Sequence, residues 1–576
     1  MLRLSHGLSF SDLYHREGLL RVDAAFLYQL KLSDASLHAQ LLAARDAVAA
    51  NPGALPTKQE SELLIVLAPH LDDFIAGLFG IEIELRTLSE RHHEMAPLYS
   101  CKRVFVQRRA LHKYKPEQTA TFDGAELCAK IASLLGDNFS ELAFAKAVNG
   151  WLQEEAGGDQ HVRELDLALR YAAWAVTTPA GRLQHAAGVL FKIPHKLDYQ
   201  HLVPHLTVNE APGYTEYRMD ANQLRRRDGF ALTDAGTDLI GALDQANYCI
   251  WCHEQGKDSC SKGLKEKGAT DKGKASFKKS PLGVILAGCP LEEKISEFQK
   301  VKTEGVIVGA LAIIIVDNPM TAATGHRICN DCMKSCIYQK QEPVNIPQVE
   351  TRTLKDVLEL PWGFEIYSLL TRWNPLNLRR PYPRALSGKR VLIAGMGPAG
   401  FTLAHYLMND GHVVVGIDGL KIEPLPEVIS GVDVYGKRVQ FQPIRDVQEL
   451  YESLEDRVMA GFGGVAEYGI TVRWDKNFLK LIRLLLERRD QFALFGGVRF
   501  GGTLDVEDAF ALGFDHVALA VGAGKPTVLD MPNGLARGVR TASDFLMALQ
   551  LTGAAKPDSI ANMQLRLPVV IIGGGL

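Results

Sequence analysis

Apolar side chains recur at three- and four-residue intervals through most of the first half of the chain. The stretches 36–50, 60–90, 124–136 and 139–155 share this spacing, which lays one apolar stripe along each of a series of helices. Later the pattern changes. Arg390-Val391-Leu392-Ile393-Ala394 is a short unbroken apolar run that suits a strand buried on both faces. Helical spacing returns from Phe401 to Asn409, and His412 to Ile417 is a second strand-like run. A third, Leu567 to Ile572, runs into Gly573 and Gly575. Val306–Val316 is nearly all apolar but too short to cross a bilayer, so it is predicted to be a buried helix or strand.

These patterns predict a multidomain α plus α/β protein. A helical region of unknown role spans 1–240, and a second, cysteine-bearing helical unit spans 241–360. A connector rich in Pro, Arg and aromatic residues covers 361–387. A Rossmann-like unit follows over 388–566, and 567–576 reads as the first strand of another, truncated unit. The region 1–240 shows no catalytic motif and is predicted to serve docking or oligomerisation. Within it, the pairs Asp72-Asp73 and His92-His93 are read as solvated surface groups, because no partner spacing supports a metal or acid–base site.

A chain of 576 residues has room for three or four domains. Its formal charge of −3 gives no general attraction to nucleic acid or to anionic lipid. The opening residues lack the basic, apolar and small pattern of a secretory signal, and no apolar stretch is long enough to span a membrane. Seven of the nine cysteines fall between 249 and 336. Clustered thiols without an export signal suggest metal binding in a reducing, cytoplasmic setting.

Gly395-Met396-Gly397-Pro398-Ala399-Gly400 follows the first strand at once, and the second strand ends in Asp418. In such an arrangement the first glycine permits a tight turn and the second lets a pyrophosphate approach the backbone. The third lets helix and strand pack closely. The helix N-terminus then faces the phosphate charge, and Asp418 is placed to accept from a ribose hydroxyl. The loop predicts dinucleotide binding and does not choose between FAD and NAD.

The cysteines read Cys249-x2-Cys252-x7-Cys260, then Cys289-Pro290, then Cys329-x2-Cys332-x3-Cys336. Two CxxC pairs could clamp one tetrahedral zinc. The alternative is two four-iron clusters, which seven thiols fill with one vacancy. Residues 256–280 hold eight lysines and few apolar groups, as a solvated insertion does. Cys101 and Cys128 stand apart as structural thiols.

The segment from Gly388 to Leu407 resembles the FAD-binding opening of the glutamate synthase small-subunit family, a module shared with the N-terminal part of dihydropyrimidine dehydrogenase. Gly463-Gly464-Val465-Ala466-Glu467-Tyr468-Gly469-Ile470 and Leu519-Ala520-Val521-Gly522-Ala523-Gly524-Lys525-Pro526 resemble two later segments of that family, in its order. The resemblance covers roughly 240–576. It implies an NAD(P)H-dependent oxidoreductase with FAD and two 4Fe-4S clusters, passing electrons to an accepting subunit or domain. It implies cofactor contacts at Gly464, Val465, Arg473 and Gly522 besides the glycine loop. Thr471 replaces the family's proline, and Arg473 stands one position early.

For the metal centres, the resemblance implies one cluster on Cys249, Cys252 and Cys260, with Glu350 as its non-cysteine ligand. It implies a second on Cys289, Cys329, Cys332 and Cys336. The alternative for Glu350 is an ordinary surface glutamate. The Cys260–Cys289 separation exceeds the family's and requires the lysine-rich insertion to bulge outward. The last ten residues resemble the opening of the family's NAD(P)H-binding unit, with Gly573 and Gly575 in its turn, and predict a truncated nicotinamide site. Rival readings are an electron-transfer subunit for another acceptor and a zinc-ordered scaffold beside an inert Rossmann unit. A thiol–disulfide flavoenzyme is disfavoured, because the flavin region holds no cysteine.

Overall fold

The computed structural model describes residues 2–573 except 137–138, 156–160, 204–205, 222, 225–229, 267–275, 327, 470–472, 524–525, 555 and 557. The protein is helix-rich, with an N-terminal helical region and one small parallel sheet. Helices α1 (Arg16–Ser33), α2 (Ala35–Ala50), α3 (Thr57–Phe79) and α4 (Glu82–Cys101) open the chain. Asp34 caps α2 by accepting from the Leu37 N–H, and Gly80, left-handed at φ +67°, ends α3. α4 widens into a π-helical stretch, Lys102–Ala110. Beyond the helices of 124–177, strands β1 (Leu206–Ala211) and β2 (Tyr214–Met219) form a mostly exposed antiparallel hairpin.

The core does not divide at residue 240. Residues 98–191 gather round Phe105, Phe144, Tyr171 and Phe191 in a core of their own. Residues 8–85, by contrast, share one apolar core with the cysteine-bearing helices and the parallel sheet. Phe26 and Phe74 pack against Trp373, whose ring nitrogen donates to Asp23. Burial of such rings stabilises by about 1.5–3 kcal/mol each, enough to tie α1 and α3 to the distant connector. That connector is not wholly irregular, because Gly363–Leu370 forms a buried helix.

Val306–Val316 becomes the buried helix Ile307–Asp317. Its N-terminus is closed by Asp72, whose carboxylate accepts from the Ile307 and Gly309 N–H groups at 2.8 and 2.5 Å. The solvated reading of Asp72 is therefore corrected, and so is that of His92, which is buried beside Asp356. The helical pattern showed that these residues lie on helices; which face would be covered depended on a segment more than 200 residues away.

The parallel sheet runs β5 (Phe492–Gly496), β4 (Val413–Asp418), β3 (Arg390–Ala394), β6 (His516–Leu519). Numbered from β3, that is the 3-2-1-4 order of a mononucleotide-binding half, with its switch point beside β3. Leu567–Ile572 is not a strand. The described part of this segment is exposed, and among the described residues no strand offers its apolar run a ladder. Gly573 is described there; Gly575 lies outside the described residues.

Candidate functional site

The glycine loop forms as the spacing requires. β3 ends at Ala394, the chain turns through Gly395 at φ +99°, and the helix Pro398–Asn409 starts with proline in its first turn. A Cβ on Gly395 would lie 2.3 Å from the Ala520 carbonyl oxygen, and one on Gly400 would lie 1.9 Å from that of Gly395. These two positions admit only glycine. A Cβ on Gly397 would meet nothing closer than 3.8 Å, so the protein itself leaves that side of the loop open. Pro398 and Ala399 are exposed at the helix mouth.

Asp418 is bound into this loop. Its Oδ2 accepts from the Met396 N–H at 2.9 Å and its Oδ1 from the Leu420 N–H at 3.0 Å. The carboxylate thus fixes the turn and keeps further lone pairs for a hydroxyl donor. The Gly463-Gly464 turn comes up against the same loop. The Gly463 N–H donates to the Met396 carbonyl at 3.1 Å, and Gly464 faces Gly397 across the gap. Val465 starts the short helix Val465–Tyr468, with its side chain exposed. Arg473 is half-buried next to buried Trp474, and Gly522 lies in an exposed left-handed turn beyond β6. Ile470, Thr471, Gly524 and Lys525 lie outside the described residues.

The cysteines gather in two adjoining groups, partitioned otherwise than expected. Cys249, Cys252, Cys260 and Cys336 line one small cavity. The Cys260 and Cys336 thiols interact across it, which raises Cys260 well above the ordinary thiol range and draws Cys336 down to about 7. Burial pushes Cys249 up to about 12 and Cys252 up to about 11. Cys336 therefore belongs with the first three cysteines. The order of the chain hid this, because the three-residue step from Cys332 carries the backbone through the short helix Asp331–Lys334 toward the other group.

Cys289, Cys329 and Cys332 form the second group, and Glu350 goes with it. Burial raises the Cys332 thiol most, and the carboxyls of Glu350 and Glu293 and the thiols of Cys289 and Cys329 add to the effect. Glu350 is no surface glutamate. It is buried, and its Oε1 accepts from Asn318, Thr321 and Thr324 at 3.2, 2.9 and 3.0 Å. Glu293, unforeseen from the sequence, is a second buried carboxyl in this place, raised by burial and then by Glu350. Its only signal was its position four residues beyond Cys289.

A narrow neck joins the groups. The Cys289 N–H donates to the Cys260 carbonyl at 2.8 Å, and Leu264 pairs with both Leu286 and Lys278. The ends of the lysine-rich insertion are thereby clipped together, and the long spacing does not separate the two cysteines. All nine cysteines are free thiols. Among the described residues, no three His, Cys, Asp or Glu side chains converge as the ligands of one metal ion would. Trp474 ties this unit to the sheet by donating to the Ala322 carbonyl at 2.8 Å.

Fold and site together define a helix-rich protein that combines a dinucleotide-type glycine loop on a parallel sheet with a thiol-rich helical unit. The chain belongs to the family of the uncharacterized protein RP005 of Rickettsia prowazekii (strain Madrid E), with which it shares 33% identity over 314 residues, 53% of this chain and all of that protein. The model of the RP005 N-terminal alpha-helical domain matches residues 4–80. The uncharacterized protein RP006 of the same organism is 54% identical over 257 residues, 45% of this chain and 35% of RP006. A protein named glutamate synthase [NADPH] small chain, from Mycobacterium tuberculosis (strain ATCC 25618 / H37Rv), is 27% identical over 298 residues, 50% of this chain and 49% of the relative. The chain thus spans about a third of RP006 and about half of that small chain.

Proposed function

We propose that this chain is a flavin- and iron–sulfur-containing oxidoreductase that takes electrons from NAD(P)H and delivers them to a partner subunit or domain, as the name of its distant glutamate synthase relatives suggests. One observation carries the reading. Seven thiols from separate parts of the chain collect in two adjoining groups within a unit whose core is continuous with a nucleotide-type sheet.

The residues suit the groups they would hold. Gly395, Gly397 and Gly400 leave an open backbone cradle at a helix N-terminus, as an FAD pyrophosphate requires. Asp418 would take the ribose, with Gly464, Val465, Arg473 and Gly522 along the rest of the crevice. Burial leaves the thiols other than Cys336 poor thiolates, and a cationic iron centre reverses that penalty. We assign Cys249, Cys252, Cys260 and Cys336 to one 4Fe-4S cluster, and Cys289, Cys329, Cys332 and Glu350 to the other. When bound, the flavin would supply the exchange between two-electron hydride chemistry and one-electron transfer, and the clusters the outward path. The chain's own part is to hold these groups in fixed register and keep water from the thiols. Leu567–Gly573 has no strand partner, so we do not assign the nicotinamide site to it. Unpaired thiols suit a reducing, cytoplasmic setting.

Anaerobic purification with iron, sulfide and flavin quantified tests the reading. The expected result is about eight irons per chain with a brown, dithionite-bleachable spectrum and bound flavin. A colourless protein carrying stoichiometric zinc would favour the scaffold reading instead.

A further inference from the structure

The helix Leu239–Tyr248 joins two cores, with Leu243 packed among residues 98–191 and Ala246 in the main core. Along this seam runs a groove of about 970 Å3 that has Cys249 in its wall. Its size is that of a small-molecule site, and seams between packed units are where such sites form. Cys249 and Tyr338 also line the small thiol cavity, so the groove and the first cysteine group share a wall.

Part of the lining comes from the π-helical stretch Lys102–Ala110. Bonding from residue i to i+5 lines up residues five apart, whereas an α-helix lines up those three and four apart. Lys102 and Gln107 form one such pair, Arg103 and Arg108 another, and all four line the groove. In an α-helix one member of each pair would turn away. The π geometry therefore sets two arginines on one wall. Lys192 is the fourth cation of the lining, and Asp244 and Glu342 are its two carboxylates. Lys102 and Asp244 pair at 2.6 Å. Arg103 donates to the Asn247 carbonyl, and exposed Glu342 accepts from the His195 N–H at 3.1 Å. Among the described residues, Arg103, Arg108 and Lys192 make no ion pair.

Aromatic rings form another part of the lining. The Tyr248 and Tyr338 rings lie parallel, with centroids 4.5 Å apart. Their hydroxyls donate to the Glu342 and Tyr248 carbonyls at 2.9 and 3.3 Å, so these residues offer ring surface rather than hydroxyl protons. Trp251, also in the lining, is held left-handed at φ +50°, which bulky residues rarely adopt. The Lys300 ammonium stands over its ring at 4.8 Å. Among the described residues, the Trp251 ring nitrogen and the Asn345 side-chain oxygen are buried without a hydrogen-bond partner. The lining residues thus carry one unanswered donor and one unanswered acceptor.

We propose that this groove binds a nucleoside phosphate. Arg103, Arg108 and Lys192 take the phosphate, because neighbouring guanidinium groups match its oxygens in charge and geometry. The base stacks on the tyrosine rings, and its polar edge engages the Trp251 ring nitrogen and the Asn345 side-chain oxygen. Four lining cations against two carboxylates suit the double charge of a phosphate monoester. The site shares no residue with the glycine loop and does not depend on the redox reading.

Calorimetric titration of the full chain with AMP, GMP, CMP and UMP at constant ionic strength tests this, with adenosine and inorganic phosphate as controls. At least one of the four is expected to bind saturably, more tightly than either control, and the tightest identifies the base. Arg108→Ala should weaken that binding about tenfold by removing a charge-assisted contact. Arg103→Glu combined with Arg108→Glu should abolish it, whereas a nucleotide held at the glycine loop would survive that change. Both arginines are exposed, so the variants should melt as the parent does. Absence of saturable binding by all four nucleotides to the unaltered chain would overturn the proposal. Undiminished binding in the double variant would do the same, as would a control that binds as tightly as the nucleotides.

Discussion

Cys260 and Cys336 line the same small cavity, although the two belong to different cysteine clusters in the chain. This placement sets the last cysteine beside the first three and leaves Glu350 to the second group.

Ligand substitutions should report that partition. Cys336→Ser is expected to alter the same EPR signal as Cys260→Ser, and Glu350→Ala the same signal as Cys332→Ser. The outcome that would sink the assignment is Cys336→Ser and Cys332→Ser acting on one signal while Glu350→Ala acts with Cys260→Ser.

Two loop glycines should separate folding from cofactor binding. Gly400→Ala forces a Cβ onto the Gly395 carbonyl, and overpacking of this kind costs about 1–3 kcal/mol or more, so its melting temperature should fall. Gly397→Ala meets no protein atom within 3.8 Å and should melt as the parent does without cofactor, yet retain less flavin on purification. Equal flavin content in Gly397→Ala and the parent would remove the pyrophosphate from this loop.

Asp72 gives a pH test with a definite sign. Burial raises its carboxyl to about 7 against the pull of the Gly309 and Ile307 N–H groups. An acid raised in the folded state binds protons there that the unfolded chain has lost, so its contribution to stability declines as pH rises from about 4 to about 7. Asp72→Asn lacks this titration. The stability gap between parent and variant, read from urea unfolding, should therefore narrow from pH 5 to pH 8. A constant gap would show that the carboxyl titrates normally.

The Glu365–Arg488 pair joins the N-terminal helices to the sheet. Glu365→Gln leaves Arg488 buried without its counter-charge and should cost about 3–5 kcal/mol in equilibrium unfolding. Tyr14→Phe removes one hydrogen bond to that pair and should cost about 1 kcal/mol. Comparable losses from the two variants would contradict the charge argument.

The nucleotide-type loop was legible because its information is local. Strand, turn, helix and second strand follow one another within thirty residues, and Gly400 answers the Gly395 carbonyl in the same turn. The buried helix Ile307–Asp317 was legible for the same reason, its composition alone demanding cover. What spacing could not reach was every relation made across the fold. Asp72 as a helix cap, the exchange of Cys336 for Glu350, the presence of Glu293 and the continuity of residues 8–85 with the sheet all join distant segments.

The sequence by itself determined that strand, helix and strand flank a tightly turning glycine loop, and that seven thiols are available to soft metals. Only the tertiary structure decided which thiols face one another and which charges lose their solvent. The reason is physical. Periodicity and turn chemistry are settled by neighbours along the chain, whereas burial and pairing are settled by whatever surface packs against them.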